Sequence, residues 1–267
     1  MKPNRVLITG AAGGLGKMLR QSLAGHYPIL RLSSRSSLDP AAPHEEIMYC
    51  DLTDAAAMER LLEGVDAVVH MGGQSVEADW DTILRSNIVG AYNLWEAARK
   101  AGTRRIIFAS SNHAIGFHRR STRLNETSPA RPDSLYGLSK AFGEDLGRYY
   151  ADKYGISCLS IRIGSSFPEA TDQRTLSTWM SYRDMTQLIR VGLEAEYHYE
   201  IVYGVSDNTR SWWDNRNAYR LGFQSQDNAE VWASQVVDKV YDDPVADNFQ
   251  GGRFAAVDFA GDLDRID

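Results

Sequence analysis

Short apolar runs alternate with amphipathic stretches through the first 165 residues of this chain. Residues 6–9, 29–32, 47–50, 67–70, 105–109 and 157–163 read as six strands. Most are apolar almost throughout, as strands buried on both faces are. Between them, residues 15–23, 55–62, 82–101 and 135–154 carry apolar side chains at three- and four-residue spacing, the period of an amphipathic helix. In the long segment 82–101 that stripe is Ile83, Leu84, Ile88, Ala91, Leu94 and Ala98. The βαβ alternation predicts an α/β fold, a Rossmann-type doubly wound parallel sheet with helices on both faces. After Gly164 the texture becomes polar and aromatic. Residues 1–165 are expected to form a dinucleotide-binding domain. Residues 166–267 are expected to form a small substrate-binding lobe, with 201–205 rejoining the sheet and an acidic, partly irregular tail from about Asp242.

The first strand runs into Thr9-Gly10-Ala11-Ala12-Gly13-Gly14-Leu15-Gly16. Glycines at 10, 13 and 16 suit a tight turn, a close backbone approach to a pyrophosphate, and close helix–strand packing, in that order. The pyrophosphate would sit on free N–H groups at the start of the first helix. Asp51, in Cys50-Asp51-Leu52, stands where a carboxylate can accept from an adenine amino group; it can equally cap the next helix. Met71-Gly72-Gly73 ends the fourth strand, where small residues let a cofactor pass. Asn87 is a poor helix former inside the long helix, which suits an inward-facing side chain holding adjacent loops.

Tyr136 and Lys140 lie four residues apart in Leu135-Tyr136-Gly137-Leu138-Ser139-Lys140, on one face of a helix. An ammonium beside a phenol favours the phenolate, so the pair predicts a tyrosine tuned downward to take a proton from an alcohol as hydride leaves its carbon.

Composition narrows the class. A chain of 267 residues with 43% hydrophobic and 24% charged residues has the size for one sizeable core. Its net charge of −6 argues against nucleic acid as a partner. No apolar run is long enough to span a bilayer, and the N-terminus lacks a signal-peptide pattern, so a cytoplasmic protein without membrane association is expected. Cys50 and Cys158 read as buried thiols. No cluster has metal-site spacing, so no metal is expected.

With those pieces placed, the chain resembles the extended short-chain dehydrogenase/reductases, a group that includes nucleotide-sugar epimerases and dehydratases. Within that group the resemblance narrows to the uronate dehydrogenases. It is carried by Phe108-Ala109-Ser110-Ser111-Asn112-His113, Ala130-Arg131-Pro132-Asp133, Leu135 to Lys140, Arg162-Ile163-Gly164-Ser165, Arg174-Thr175-Leu176-Ser177-Thr178-Trp179 and Ser211-Trp212-Trp213-Asp214-Asn215. The resemblance implies oxidation at C1 of cyclic D-glucuronate or D-galacturonate to the aldarolactone, with hydride passing to NAD. It implies Tyr136 as base, Lys140 as its electrostatic support and Ser111 as hydrogen-bond donor. Cofactor contacts are implied for Gly10, Gly13, Gly14, Leu15, Gly16, Ser34, Arg35, Asp51, Leu52, Met71, Gly72, Gly73, Asn87, Tyr136, Lys140 and Ile163. Arg174 is implied as the anchor of the C6 carboxylate. Ser75, Ser111, Asn112, His113, Tyr136 and Ser165 would meet the rest of the sugar. A homo-oligomer is also implied. Trp212 and Trp213 line either the pocket or an interface.

One departure stands out. An NAD enzyme usually ends its second strand in Asp or Glu, accepting from the adenosine 2′-hydroxyl. This chain has Ser33-Ser34-Arg35-Ser36. The cofactor expected is NAD, with NADP tolerated. Two other functions remain open at this level. A nucleotide-sugar epimerase or dehydratase is disfavoured by the short C-terminal region. A non-catalytic NAD(P)-sensing protein is disfavoured by the retained Ser111, Tyr136 and Lys140.

Overall fold

A computed structural model describes residues 2–266. Seven strands form one sheet: β1 (Arg5–Thr9), β2 (Ile29–Ser33), β3 (Glu45–Ile47), β4 (Ala67–His70), β5 (Arg105–Ser111), β6 (Ser157–Ile163) and β7 (Tyr199–Gly204). Their order is β3-β2-β1-β4-β5-β6-β7, and every neighbouring pair is parallel. The order reverses between β1 and β4, the switch point where open α/β sheets bind ligands.

Alternate residues of each strand face opposite layers. Val6, Ile8, Leu30, Leu32, Val69 and Ile161 pack on one face with Leu19 of α1 (Gly14–Ser22) and with Met185, Leu188 and Ile189 of α7 (Tyr182–Glu194). Leu7, Val68, Ile106 and Phe108 pack on the other with Met58 and Leu61 of α2 (Ala55–Leu62), Leu94 and Trp95 of α4 (Gly90–Ala101), and Tyr150 of α5 (Leu135–Tyr154). The strand residues named here are all apolar, which fixes the register of the sheet and hence the level at which its loops emerge.

Three elements differ from the sequence reading. The third strand is Glu45–Ile47, earlier than 47–50. Its acids are neutralised at the sheet edge: Glu46 accepts from Arg31 Nε at 2.7 Å and Glu45 from Arg20 Nη2 at 2.7 Å, so a polar sequence makes a strand. The helix expected at 82–101 starts with α3 (Trp80–Ile83) and passes through a π-helical turn at Leu84–Val89 before α4. The tail, irregular in part as expected, is nevertheless tied down. Short helices at Pro244–Asn248 and Arg253–Ala256 flank a run in which Gln250 N donates to His118 O and Gly251 N to Gly116 O, both at 2.9 Å. These bonds bring residues 250–254 over the C-terminal ends of β5 and β6.

Among the described residues no helix is long and apolar enough to cross a membrane, and no group of three His, Cys, Asp or Glu could hold a metal. Cys50 and Cys158 are buried free thiols.

Candidate active site

One cleft of about 1060 Å³ runs across the C-terminal ends of β1, β2, β4, β5 and β6. Its glycine end is shaped by backbone. Gly10 leaves β1 at φ 67°, and a Cβ added at Gly16 would stand 2.2 Å from Gly10 O, so the turn and α1 touch. Gly13 precedes α1 and offers no side-chain cap, which leaves the first-turn N–H groups of Gly14, Leu15 and Gly16 on the cleft wall. Ala11 N donates to Ser33 O at 3.0 Å and binds this loop to the end of β2.

Asp51 Oδ1 accepts from Thr53 N at 2.9 Å and from Thr53 Oγ1 at 2.8 Å. These bonds, helped by Arg35 and Arg85, hold its carboxyl below the usual range. The cap of α2 is Asp54, so Asp51 does not cap that helix. Leu52, Met71, Gly72, Gly73, Ser34 and Arg35 all line the cleft. Asn87 does not: it stands behind the wall. Its Oδ1 accepts from Gln74 N at 2.7 Å, and its Nδ2 donates to Gln74 O at 3.1 Å and Ser139 Oγ at 2.9 Å. It therefore holds the Gly73–Ser75 loop to α5. Behind Thr9, buried His70 contacts Thr9 Oγ1 through Nδ1 at 2.7 Å, and burial pushes its pKa down to about 3.

At the middle of the cleft, Ser134 caps α5 by accepting from Gly137 N at 2.9 Å. Glu77 accepts from the N–H groups of Leu135 and Tyr136 at 3.1 and 2.7 Å. The α5 N-terminus is thus clamped where the tyrosine begins. Ser111 Oγ accepts from His113 N at 3.1 Å and hydrogen-bonds the Tyr136 phenol. Lys140 Nζ lies 5.4 Å from the Tyr136 ring centre but donates to Ala109 O at 2.8 Å. The expected downward tuning of the phenol is absent from the protein alone. Burial pushes Tyr136 up to about 12, against the Ser111 hydrogen bond, and pushes Lys140 down to about 8. Desolvation of the buried phenol outweighs the i,i+4 geometry, and the lysine tip is turned to a backbone carbonyl.

The far end is built around Arg174. Its Nε donates to Gln250 O at 2.8 Å and Nη1 to Ser165 Oγ at 3.4 Å. With the Asn112 amide oriented by its hydrogen bonds, Asn112 Oδ1 accepts from Arg174 Nη2 at 2.6 Å and its nitrogen donates to Ile163 O at 3.0 Å. All these acceptors are neutral, and among the described residues Arg174 has no ion pair. Burial lowers its pKa from the ordinary arginine value. Ser75 and Ile163 lie on the same cleft wall.

His113 Nδ1 meets Asp133 Oδ2 at 2.7 Å, and its ring stacks on Phe254 at 3.9 Å. With Nδ1 turned to Asp133, Nε2 is the ring nitrogen left to meet a ligand. Asp133 is enclosed by glycines: a Cβ at Gly116 or Gly251 would fall 1.8 Å from its Oδ2.

Phe254, Gln250 and Asp133 were not read as site residues from the sequence. Asp133 lies within a segment that carries the resemblance, but Phe254 and Gln250 belong to a tail without periodicity. Trp213 does not line the cleft: it stacks on Tyr203 at 5.0 Å and donates from Nε1 to Gln250 Oε1 at 2.8 Å, supporting the residue that holds Arg174.

Arg35, Arg85, Lys140, Arg174 and Arg253 line the cleft against one carboxylate, Asp51, in a chain of net charge −6. Such a concentration of positive charge favours anionic ligands. The glycine cradle and its open helix N-terminus fit the pyrophosphate of NAD.

The chain matches the family described as NAD dependent epimerase/dehydratase over residues 6–221. It is 52% identical over 258 residues to a uronate dehydrogenase of Pseudomonas putida, covering 94% of this chain and 96% of that one. The crystal structure of a glucuronic acid dehydrogenase from Chromohalobacter salexigens superposes with a TM-score of 0.92 at 47% identity, covering 98% and 99% of the two chains. A variant of the Agrobacterium tumefaciens uronate dehydrogenase complexed with NAD gives 0.91 at 46% identity, covering 95% and 97%.

Proposed function

The chain belongs to the NAD-dependent epimerase/dehydratase family, and we propose that within it this protein is a uronate dehydrogenase, oxidising C1 of a cyclic hexuronate to the aldarolactone. The observation that carries this reading is Arg174. A half-buried arginine whose guanidinium meets only neutral acceptors stands in the same cleft as Tyr136, Ser111 and Lys140. A carboxylate there forms two parallel charge-assisted bonds, which a neutral hexose cannot.

Gly13 to Gly16, Ser34, Asp51 and Met71 to Gly73 hold the dinucleotide. NAD, when bound, supplies the hydride acceptor and a cationic ring whose charge opposes the desolvation that keeps Tyr136 protonated. Tyr136 takes the proton of the C1 hydroxyl as the C1–H bond breaks and the carbonyl forms. Ser111 donates to the reacting oxygen, keeping its bond from His113 N. Lys140 supplies positive charge beside the phenolate. Arg174 and Asn112 fix the acid end, and Nε2 of His113 is left to hydrogen-bond a sugar hydroxyl. Orientation is the main contribution of these groups.

The test is spectrophotometric. With NAD and glucuronate or galacturonate the protein should produce reduced nicotinamide, and Tyr136→Phe should lower turnover by about 10²–10⁴-fold while NAD still binds. Absence of product with both hexuronates, or near-normal turnover in the variant, would reject the assignment. An epimerase would give no net reduced cofactor.

A further inference from the structure

We propose that the turn Ser34-Arg35-Ser36 forms a clasp for an adenosine 2′-phosphate, so that the protein accepts the phosphorylated dinucleotide as well as NAD. The inference rests on the dinucleotide site proposed above and adds a specificity to it.

The sheet register places the turn. Thr9 of β1 pairs with Ser33 of β2, and Ala11 N bonds Ser33 O, so the next residue stands directly beside the glycine loop. This is the position from which a carboxylate selects a free 2′-hydroxyl and repels a phosphate. Here it holds Ser34, half-buried and on the cleft wall. Its hydroxyl oxygen accepts from Ser36 N at 3.1 Å, which leaves its proton to donate elsewhere.

Arg35 follows. Its side chain is 72% exposed, and the carboxylate it faces, Asp51, is 3.9 Å away. Asp51 already takes two short bonds from Thr53, so it holds Arg35 loosely. Arg85, also on the cleft wall, acts on the same carboxylate. Two guanidiniums therefore stand against one acid at this end of the cleft, leaving positive charge to spare. A phosphate monoester carries close to two negative charges at neutral pH, and a guanidinium fork matches its oxygens in pairs.

The decisive measurement is calorimetric binding of 2′,5′-ADP and of 5′-AMP, which differ only in the phosphate at issue. In the unaltered protein 2′,5′-ADP should bind about fivefold or more tightly than 5′-AMP. The ratio should collapse toward one in Arg35→Ala and invert in Ser34→Asp, with NADP and NAD following the same order. Equal or weaker binding of 2′,5′-ADP, or a ratio unmoved in Arg35→Ala, would overturn the clasp while 5′-AMP binding kept the dinucleotide site intact. Failure of both nucleotides and of NAD to bind would remove the site and the clasp together.

Discussion

Tyr136 and Lys140 are each held in their neutral direction by the same cause. Both side chains are buried, and burial disfavours whichever form carries charge. The consequences for stability have opposite signs. Lys140 has its pKa lowered from 10.5 to about 8. Between those values the unfolded chain binds more protons than the folded one, so this group's contribution to stability rises with pH from about 8 to 10.5. Tyr136 is raised from 10.0 to about 12, so its contribution falls across that higher window. Urea denaturation at pH 8 and pH 10 should show the protein gaining stability relative to Lys140→Met. A relative loss, or no relative change, would show that the lysine is solvated. At this scale the chemistry was legible in the sequence as residue types and spacing. The direction of the tyrosine shift was not, because it comes from the burial of the phenol, which only the folded chain creates.

Among the elements, the π-helical turn at Leu84–Val89 sets the position of the cofactor loop. Such turns change the side-chain phase of a helix and recur at functional sites. Here the turn aims Asn87 inward at Gln74 and Ser139. Removing its amide in Asn87→Ala leaves the Gln74 N–H without its acceptor, a loss of about 1–3 kcal/mol. The expected outcome is a KM for NAD raised about tenfold, with kcat changed much less. Asn87→Asp, which keeps the acceptor, should recover part of the loss. Unchanged NAD binding in the alanine variant would show that the loop is held by other contacts. The odd Asn in a helical stripe was the visible signal, and holding adjacent loops is what it does; the π phase gave no sign of itself. Strand β3 was displaced for a related reason. Its paired acids, Glu45 and Glu46, look like loop until Arg20, Arg31 and Arg5 arrive from elsewhere in the fold.

Across the whole molecule, a chain of negative net charge places Arg35, Arg85, Lys140, Arg174 and Arg253 around one cleft and covers the far end with its own C-terminal tail. Gln250 holds Arg174 from that tail, Trp213 holds Gln250, and Phe254 seats His113. The substrate end is thus assembled from segments more than a hundred residues apart. The strands and the glycine loop were readable locally, whereas these contacts exist only after the tail folds back. The anionic end of the sugar is thus the basis of selectivity. Its most direct test compares kcat/KM for glucuronate and for glucose in the unaltered protein and in Arg174→Met. The hexuronate should be favoured strongly by the unaltered protein, and the variant should lose about 10²-fold or more of that preference, the value of two charge-assisted hydrogen bonds. A variant that kept the preference, or an unaltered protein that used glucose equally well, would contradict the account.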